Sequence, residues 1–276
     1  MKQQDQNDFS LRITNYNKLF NDKEMPFWVY SEVIDKFMTM LGNIDEYTEY
    51  HCFRVAILTK MFLKYALKQE GNKEIDNLDE VLIKEIVYGA YVHDIGKSQV
   101  PSYIIRQKKE LDENEWLELK NHPVNGAFLF LAPGYENIRN VVLCHHERYD
   151  GQGYPMQYAG KDIPLGARIV CLTDSFDAMT DKRPYQNNKS LDINGALEEI
   201  NRFSGKQFDP ELVKIFNELV KTKEFEDYWN IRKDRDIIKA KAENVKTWLF
   251  NNETMNEKIA NAEKNIAVMR KILNFE

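Results

Sequence analysis

The chain has 276 residues, of which 43% are hydrophobic and 30% are charged, so it can bury a sizeable core and wholesale disorder is excluded. Its formal net charge of −6, from 38 Lys and Arg against 44 Asp and Glu, gives no global positive field to attract polymeric nucleic acid or an anionic membrane. A small anionic ligand needs only a local positive site, which bound metal ions can supply.

The elements predicted along the chain are all helices. Residues 1–40 begin polar and then become apolar at a spacing typical of a lead-in helix. Apolar residues three and four apart predict further helices over 46–68, 79–92, 112–121, 123–131, 136–147, 166–180 and 191–203. No segment alternates apolar and polar residues convincingly, so we expect an all-α fold.

From about residue 221 the sequence becomes strongly charged but keeps apolar residues spaced for one or two amphipathic helices. We expect this segment to be an appendage that packs against the rest of the chain or forms the seam of a homodimer.

The cysteines and the hydropathy bear on the compartment. Cys52, Cys144 and Cys171 form no CxxC pair and are odd in number, which argues against a disulfide framework and favours small buried side chains. No run of about 18 apolar residues and no signal-peptide pattern is present. We therefore expect a cytoplasmic protein with no membrane span.

All the histidines of the chain lie within residues 51–146. They are His51, His93, His122, His145 and His146. One such residue alone would more often be structural, but a site assembled from several helices takes an imidazole from each, and imidazole is a common ligand of Fe, Mn and Zn. The clustering therefore predicts a metal centre.

His93 and Asp94 lie at the end of an apolar helix. Adjacent helical residues project about 100° apart, so His93 can bind one ion while Asp94 lies between two ions through its two oxygens. Two-metal hydrolysis requires such an arrangement. Lys97 lies on the same face as Asp94, where its ammonium could hold a phosphate or, alternatively, balance the helix dipole.

A second adjacent pair, His145 and His146, precedes a Gly-rich loop over residues 150–166, and a loop of that length usually has a function. Asp174 and Asp177 follow on the apolar helix over 166–180, where a carboxylate without a partner would be costly to bury. We expect Asp174 to bind a metal or a base, and Asp177 to act beside it as a ligand or a support.

The segments HDIGK at 93–97 and HHERYDGQGYP at 145–155 resemble the signatures of the HD-GYP branch of the HD-domain phosphohydrolases. DEYTEYH at 45–51, NHP at 121–123, IPLGARIVCLTDSFDAM at 163–179 and RPY at 183–185 match in order and spacing. The resemblance implies an HD-domain helical bundle over residues 41–220. The helical lead-in over 1–40 and the C-terminal helical appendage over 221–276, both predicted from apolar spacing, are additional to it.

Roles carried over from the family by position imply a metal centre and a substrate cleft. The implied metal ligands are His51, His93, Asp94, His122, His145, His146 and Asp174. The implied substrate contacts are Asp45, Lys97, Tyr154, Asp177, Met179 and Arg183, with Asp94 and Lys97 as the catalytic residues. Tyr154 could instead pack as a lid.

One position departs from part of the family. Members that resemble a trinuclear type have a Glu four residues before the first His, where this chain has Tyr47, which cannot bridge ions as a carboxylate does. The departure favours two divalent ions. A ligand set of imidazole and carboxylate without thiolate favours Fe or Mn.

The resemblance implies a phosphodiesterase that opens cyclic di-GMP to linear pGpG or GMP through a metal-activated hydroxide. The substrate could be another cyclic dinucleotide, such as cyclic GMP-AMP. Two alternatives from other classes stay open: a receptor that binds the nucleotide without cleaving it, and a di-iron redox protein.

Overall fold

A computed structural model describes residues 27–69, 71–107, 109–131, 134–181 and 190–250. Over these residues the chain is helical without a β-sheet, and the predicted all-α fold is confirmed. No helix in this part of the chain is long and apolar enough to span a membrane. Arg183 and the predicted helical segments over 1–26 and 251–276 lie outside the described residues.

Thirteen α-helices run through the described residues. In chain order they are α1 (Phe27–Ile44), α2 (Glu46–Ala66), α3 (Lys73–Asp76), α4 (Glu80–Val92), α5 (Ser102–Arg106), α6 (Glu113–Lys120), α7 (His122–Ala127), α8 (Glu136–Cys144), α9 (Leu165–Thr180), α10 (Ile193–Arg202), α11 (Pro210–Leu219), α12 (Lys223–Ile231) and α13 (Arg235–Phe250). Three short 3₁₀ turns span Ile95–Gln99, Phe128–Phe130 and Gly160–Asp162.

The predicted helices agree with the structure except near the histidines, and α3, α5 and α11 are helices that were not predicted. The helix predicted over 136–147 ends at Cys144, so His145 and His146 lie in the turn that follows it. The His145 imidazole donates to the carbonyl three residues earlier and thereby helps to end the helix. The helix predicted over 123–131 is divided into α7 and a 3₁₀ turn, and α11 was not predicted although Asp209 caps it.

The main hydrophobic core surrounds α9. The Phe176 ring on α9 lies 5.1 Å from Phe216 on α11 and 5.8 Å from Phe225 on α12, measured between centroids. All three rings are buried. Because Asp174 is two residues before Phe176, this packing fixes the helix that carries a predicted metal ligand.

The described part of the C-terminal segment, residues 221–250, packs on the rest of the chain. Phe225, Tyr228, Ile238, Ala242 and Val245 are buried in the same hydrophobic cluster as the core of the bundle. Helices α12 and α13 therefore pack against the rest of the chain, which is one of the two arrangements expected for the appendage. A homodimer through the terminal helices stays a prediction.

Candidate metal centre

The backbone of the HDIGK segment at 93–97 lies in close contact with the start of α7. A Cβ added to Gly96 would lie only 1.9 Å from the carbonyl oxygen of His122 and 2.5 Å from the amide nitrogen of Gly126. No side chain fits between them. Glycine at this position therefore allows Asp94 and His122 to approach each other.

The loop after His146 is shaped by Glu147, which the sequence analysis did not single out. Its buried Oε1 accepts the amide of Met156 at 2.6 Å and that of Gln157 at 3.1 Å. Burial raises the pKa of Glu147, although these amide hydrogen bonds oppose it. The carboxyl group thus folds the loop back over the imidazoles. Its position directly after the two histidines was the only signal in the sequence.

All seven predicted metal ligands converge in two groups. Asp94, His122, His145 and His146 each offer one donor atom, and these atoms lie within 4.8 Å of one another. His51, His93 and Asp174 form a second group by the same measure.

Asp94 lies between the two groups. Its Oδ1 atom is 3.2 Å from Nε2 of His122 and 4.0 Å from Nε2 of His145. Its Oδ2 atom is 3.5 Å from Nε2 of His93 and 2.6 Å from the ammonium of Lys97. Each carboxylate oxygen therefore faces a different group of imidazoles.

The second group is organised around Asp174. Its Oδ1 atom lies 2.9 Å from Nε2 of His51 and 3.9 Å from Nε2 of His93. Nε2 of His93 therefore lies close to both carboxylates, that of Asp94 and that of Asp174. This buried Nε2 makes no hydrogen bond among the described residues.

Backbone carbonyls fix the tautomer of three imidazoles. In each of them Nδ1 lies 2.7–2.8 Å from the carbonyl oxygen of the residue three positions earlier. These are His93, His122 and His145. A carbonyl only accepts, so Nδ1 carries the proton, and Nε2 of the neutral ring presents a lone pair to the centre.

These lone pairs fit a metal ion. Nε2 of His122 and Nε2 of His145 are 3.3 Å apart, and Oδ1 of Asp94 is 3.2 Å from the first of them. Acceptors so close repel one another unless a cation lies between them. Ligand atoms about 2.0–2.2 Å from a metal are themselves about 3–3.5 Å apart. The donor set and its spacing therefore suit a divalent ion.

Electrostatics keeps these groups in the form that binds metals. Burial lowers the pKa of His145 well below its usual range, and burial together with His122 lowers that of His146 to about 3. Burial acts to raise the pKa of Asp94, but Lys97 and His93 outweigh it and hold that pKa well below its usual range. The imidazoles of His145 and His146 are therefore neutral, and the Asp94 carboxylate is ionised, near neutral pH.

Asp177 lies in the supporting position that was one of the two predicted for it, and its contact with substrate stays a prediction. It is 1% exposed, and its Oδ2 atom accepts a hydrogen bond from Nδ1 of His51 at 2.8 Å. Arg54 donates to both of its oxygens, at 2.8 and 2.9 Å. Asp177 therefore orients a predicted ligand from behind. Arg54, three residues after His51, was not predicted to belong to the site.

A cavity of about 290 Å³ opens beside the centre and reaches His145, His146 and Asp174. Tyr154 lines it and stacks on His146, with 4.9 Å between ring centroids. Tyr154 therefore forms part of the cleft wall, and its contact with substrate stays a prediction. Lys120 lines the same cleft and was not predicted, although it stands two residues before His122.

Two other predicted substrate contacts have structural partners. Asp45 caps α2, accepting from the amide of Tyr47 at 3.2 Å and the hydroxyl of Thr48 at 2.6 Å. Met179 is half-buried and packs against the main core. Contacts of Asp45 and Met179 with substrate stay predictions.

Tyr47 packs instead of offering a carboxylate. Its ring is parallel to that of His51, at 9° and 6.1 Å between centroids, and the Arg54 guanidinium lies 5.9 Å above it. Glu46 pairs with Arg235, away from the centre. The first turn of α2 therefore contributes aromatic packing to the site.

Cys52 lies closer to the centre than expected. Its sulfur is within 4.8 Å of donor atoms of His93 and Asp94. Burial raises the pKa of the Cys52 thiol well above its usual range. All three cysteines are buried, in keeping with their predicted role as small apolar side chains.

The family described as HD domain matches residues 68–212, more than half of the chain, and the chain belongs to this family. The predicted relationship to the HD-domain phosphohydrolases is thereby confirmed. Proteins of this family depend on metals, which agrees with the two groups of donor atoms.

Curated relatives include a cyclic di-GMP phosphodiesterase of Thermotoga maritima, 34% identical over 76% of this chain and 55% of that protein. They also include 3'3'-cGAMP-specific phosphodiesterase 2 of Vibrio cholerae, 32% identical over 46% of this chain and 24% of that protein. The chain thus spans about half, or less, of the length of these relatives. A crystal structure of a cyclic GMP-AMP specific phosphodiesterase of V. cholerae shares the fold, with a TM-score of 0.53, 22% identity and coverage of 86% of this chain and 59% of that one.

Proposed function

We propose that this chain is a metal-dependent phosphodiesterase that hydrolyses cyclic di-GMP. The observation that carries the proposal is the position of Asp94, whose two oxygens face two separate groups of buried imidazoles at 3.2 and 3.5 Å. Such a carboxylate suits a pair of ions that act together on one phosphodiester.

We propose that the site holds two metal ions and that they are Fe or Mn. One would be held by Asp94, His122, His145 and His146, and the other by His51, His93, Asp174 and the second oxygen of Asp94. Bound there, they would supply Lewis-acid chemistry to the phosphodiester and to water. The packing of Tyr47 against His51 supports two ions over three, because it leaves no carboxylate at that position.

Lys97 is the proposed catalytic partner of Asp94. Its ammonium pairs with Asp94 Oδ2 at 2.6 Å, and its side chain is 22% exposed. From there it can contact a non-bridging phosphate oxygen and offset the charge that grows in the transition state. We propose the same charge-offsetting role for Arg183, and a contact with the substrate for Tyr154.

The second candidate substrate is a mixed guanine-adenine cyclic dinucleotide. Relatives are named for both cyclic di-GMP and 3'3'-cGAMP, and the described cleft residues suit the phosphodiester common to both. A receptor without catalysis is less favoured, because all seven ligands are brought together. A redox protein is less favoured because Lys97 lies beside the centre, where a phosphate would use it.

The test is a substrate panel with product analysis. Protein loaded with Mn or Fe(II) is incubated with cyclic di-GMP, 3'3'-cGAMP and linear mononucleotide diesters, and products are separated by chromatography. We expect linear product from cyclic di-GMP at the highest rate and none with the Asp94→Ala variant. Tight binding of an intact cyclic dinucleotide would favour the receptor, and oxygen consumption without nucleotide binding would favour the redox protein.

A further inference from the structure

Two residues of α6, Lys120 in the wall of the cleft and Trp116 one turn before it, lie outside both metal groups. Helix α6 ends at Lys120, which lines the cleft together with Tyr154. The Lys120 ammonium lies 5.6 Å from the Tyr154 ring centroid and 6.0 Å from that of Trp116. A single cation therefore stands between an aromatic ring of the cleft wall and one on the surface.

Trp116 does not serve the hydrophobic core. Helix α6 buries none of its residues, and Trp116 is 49% exposed. Trp116 precedes Lys120 by four residues, so the two side chains share one face of the helix. The start of the helix is fixed by a capping box between Asp112 and Glu115. The indole is therefore a large flat surface held on a well-defined support.

The cleft is small for a whole cyclic dinucleotide. Its volume of about 290 Å³ is near the lower end of the roughly 300–1,000 Å³ common for small-molecule sites. A ligand with two purines and two phosphates, bound through one phosphodiester at Asp94, must extend toward the mouth. In the direction of α6 it would reach the Lys120 ammonium, which suits phosphate, and beyond it the exposed Trp116 indole, which suits a base.

We infer that Trp116, with Lys120 beside it, forms a nucleobase-stacking subsite at the mouth of the cleft. It would take one purine of the cyclic dinucleotide, and the inference rests on the proposed function. The contact between Lys120 and Trp116 is of the weak, exposed kind, so a base can replace it on the indole. Lys120 then remains beside Tyr154, near the second phosphate. Because every base has a flat π-face, the subsite adds affinity without selecting guanine over adenine.

Binding and hydrolysis are measured separately on the same four proteins. Isothermal titration calorimetry with the slowly hydrolysed phosphorothioate analogue of cyclic di-GMP gives Kd, and chromatography gives the KM for cyclic di-GMP. The proteins are the Mn-loaded wild type, Trp116→Ala, Trp116→Phe and Leu117→Ala. Leu117 is the matched control because it is 62% exposed on the same helix and directly adjacent to Trp116.

We expect Trp116→Ala to raise Kd and KM roughly tenfold or more, as loss of one stacked base does. Trp116→Phe should recover most of the affinity, and Leu117→Ala should match the wild type. Equal Kd values for Trp116→Ala and the wild type would overturn the inference, as would an equal loss in Leu117→Ala. If the wild type binds without hydrolysis, the proposed function fails while the Trp116 comparison still decides the subsite. If the wild type does not bind the analogue, the subsite inference fails too.

Discussion

His51 and Asp177 are joined by a 2.8 Å hydrogen bond between Nδ1 of the ring and a carboxylate oxygen, while Nε2 of the same ring lies 2.9 Å from Asp174. Burial acts to lower the pKa of His51, but the two carboxylates outweigh burial and raise it. Burial likewise acts to raise the pKa of Asp177, yet Arg54 and His51 hold it well below its usual range. His51 is thus held by a charged partner, whereas backbone carbonyls hold His93, His122 and His145.

The first prediction concerns this charged support. Asp177→Asn should weaken metal binding or activity by about 10–100-fold, because a neutral amide orients and polarises His51 less well. Metal titration of the apoprotein measures the effect. Asp181→Asn is the control, since Asp181 also contacts Arg54, whereas the carboxylate bonded to Nδ1 of His51 is that of Asp177. Unchanged metal affinity in Asp177→Asn would show that this hydrogen bond is structural only.

The second prediction uses the position of Asp94 between the groups. Asp94→Ala should lose both ions and all activity, because one oxygen faces each group. His122→Ala and Asp174→Ala should each lose mainly one ion, since each belongs to a single group. Metal analysis of the purified variants, with anomalous scattering for the wild type, counts the ions. Full metal content in Asp94→Ala, or three fully occupied sites in the wild type, would contradict the two-ion proposal.

The third prediction separates substrate contact from metal binding. Lys97→Ala should reduce kcat/KM for cyclic di-GMP by about 10–100-fold, because a charge-assisted contact to phosphate is lost. Metal content should stay nearly unchanged, since an ammonium cannot bind a metal ion. Lys64→Ala, which removes an exposed lysine paired with Glu224, is the control. Parallel losses of metal and activity in Lys97→Ala would assign Lys97 to the support of Asp94 alone.

The sequence was sufficient to predict which side chains meet at the centre, because ligands must be His or Asp and the motifs fix their spacing. It did not predict how the ligands are held. His145 and His146 were placed on a helix, but the turn at Cys144 depends on an imidazole bond to a backbone carbonyl that periodicity does not show. The pairing of Arg54 with Asp177 joins residues 123 positions apart, which one sequence cannot reveal.

For the fold, too, features set by nearby residues were easier to predict than features set by residues far apart in the sequence. Helices with an apolar stripe were predicted well. In contrast, α11 was missed even though Asp209 followed by Pro210 is a strong helix start. The structure also pairs Asp209 with the buried Arg168, a contact that the sequence does not show. The packing of Phe225 against Phe176 likewise depends on tertiary contacts that the charged sequence after residue 220 conceals.

The fourth prediction tests how firmly the C-terminal segment belongs to the fold. Phe225→Ala should lower the free energy of unfolding by about 3–5 kcal/mol, because the ring is 1% exposed and its removal leaves a cavity. Ile237→Ala on α13 should cost less than about 0.5 kcal/mol, because Ile237 is 39% exposed. Urea denaturation measures both values. Similar small losses in both variants would make the segment a passive extension.

The last prediction concerns the pH dependence of stability through Glu74. Hydrogen bonds from Arg168 and Lys161 lower the pKa of Glu74 from its ordinary value of 4.5, although burial opposes them. A carboxyl group with a lowered pKa in the folded state stabilises the fold above its unfolded pKa, and this contribution is lost as the pH falls through the folded pKa.

Glu74→Gln should therefore lower the free energy of unfolding near pH 7, and the difference from the wild type should shrink as the pH falls below about 4.5. The effect should be below about 1 kcal/mol, because the Glu74 side chain is 32% exposed and Arg168 keeps its bond to Asp209. Urea denaturation of the metal-free proteins at several pH values measures the difference without interference from metal loss. Glu199→Gln, in a surface pair with Arg202, is the control and should change stability by less than about 0.5 kcal/mol. A difference between Glu74→Gln and the wild type that grows toward acid pH would reverse the sign and refute the role given to this pair.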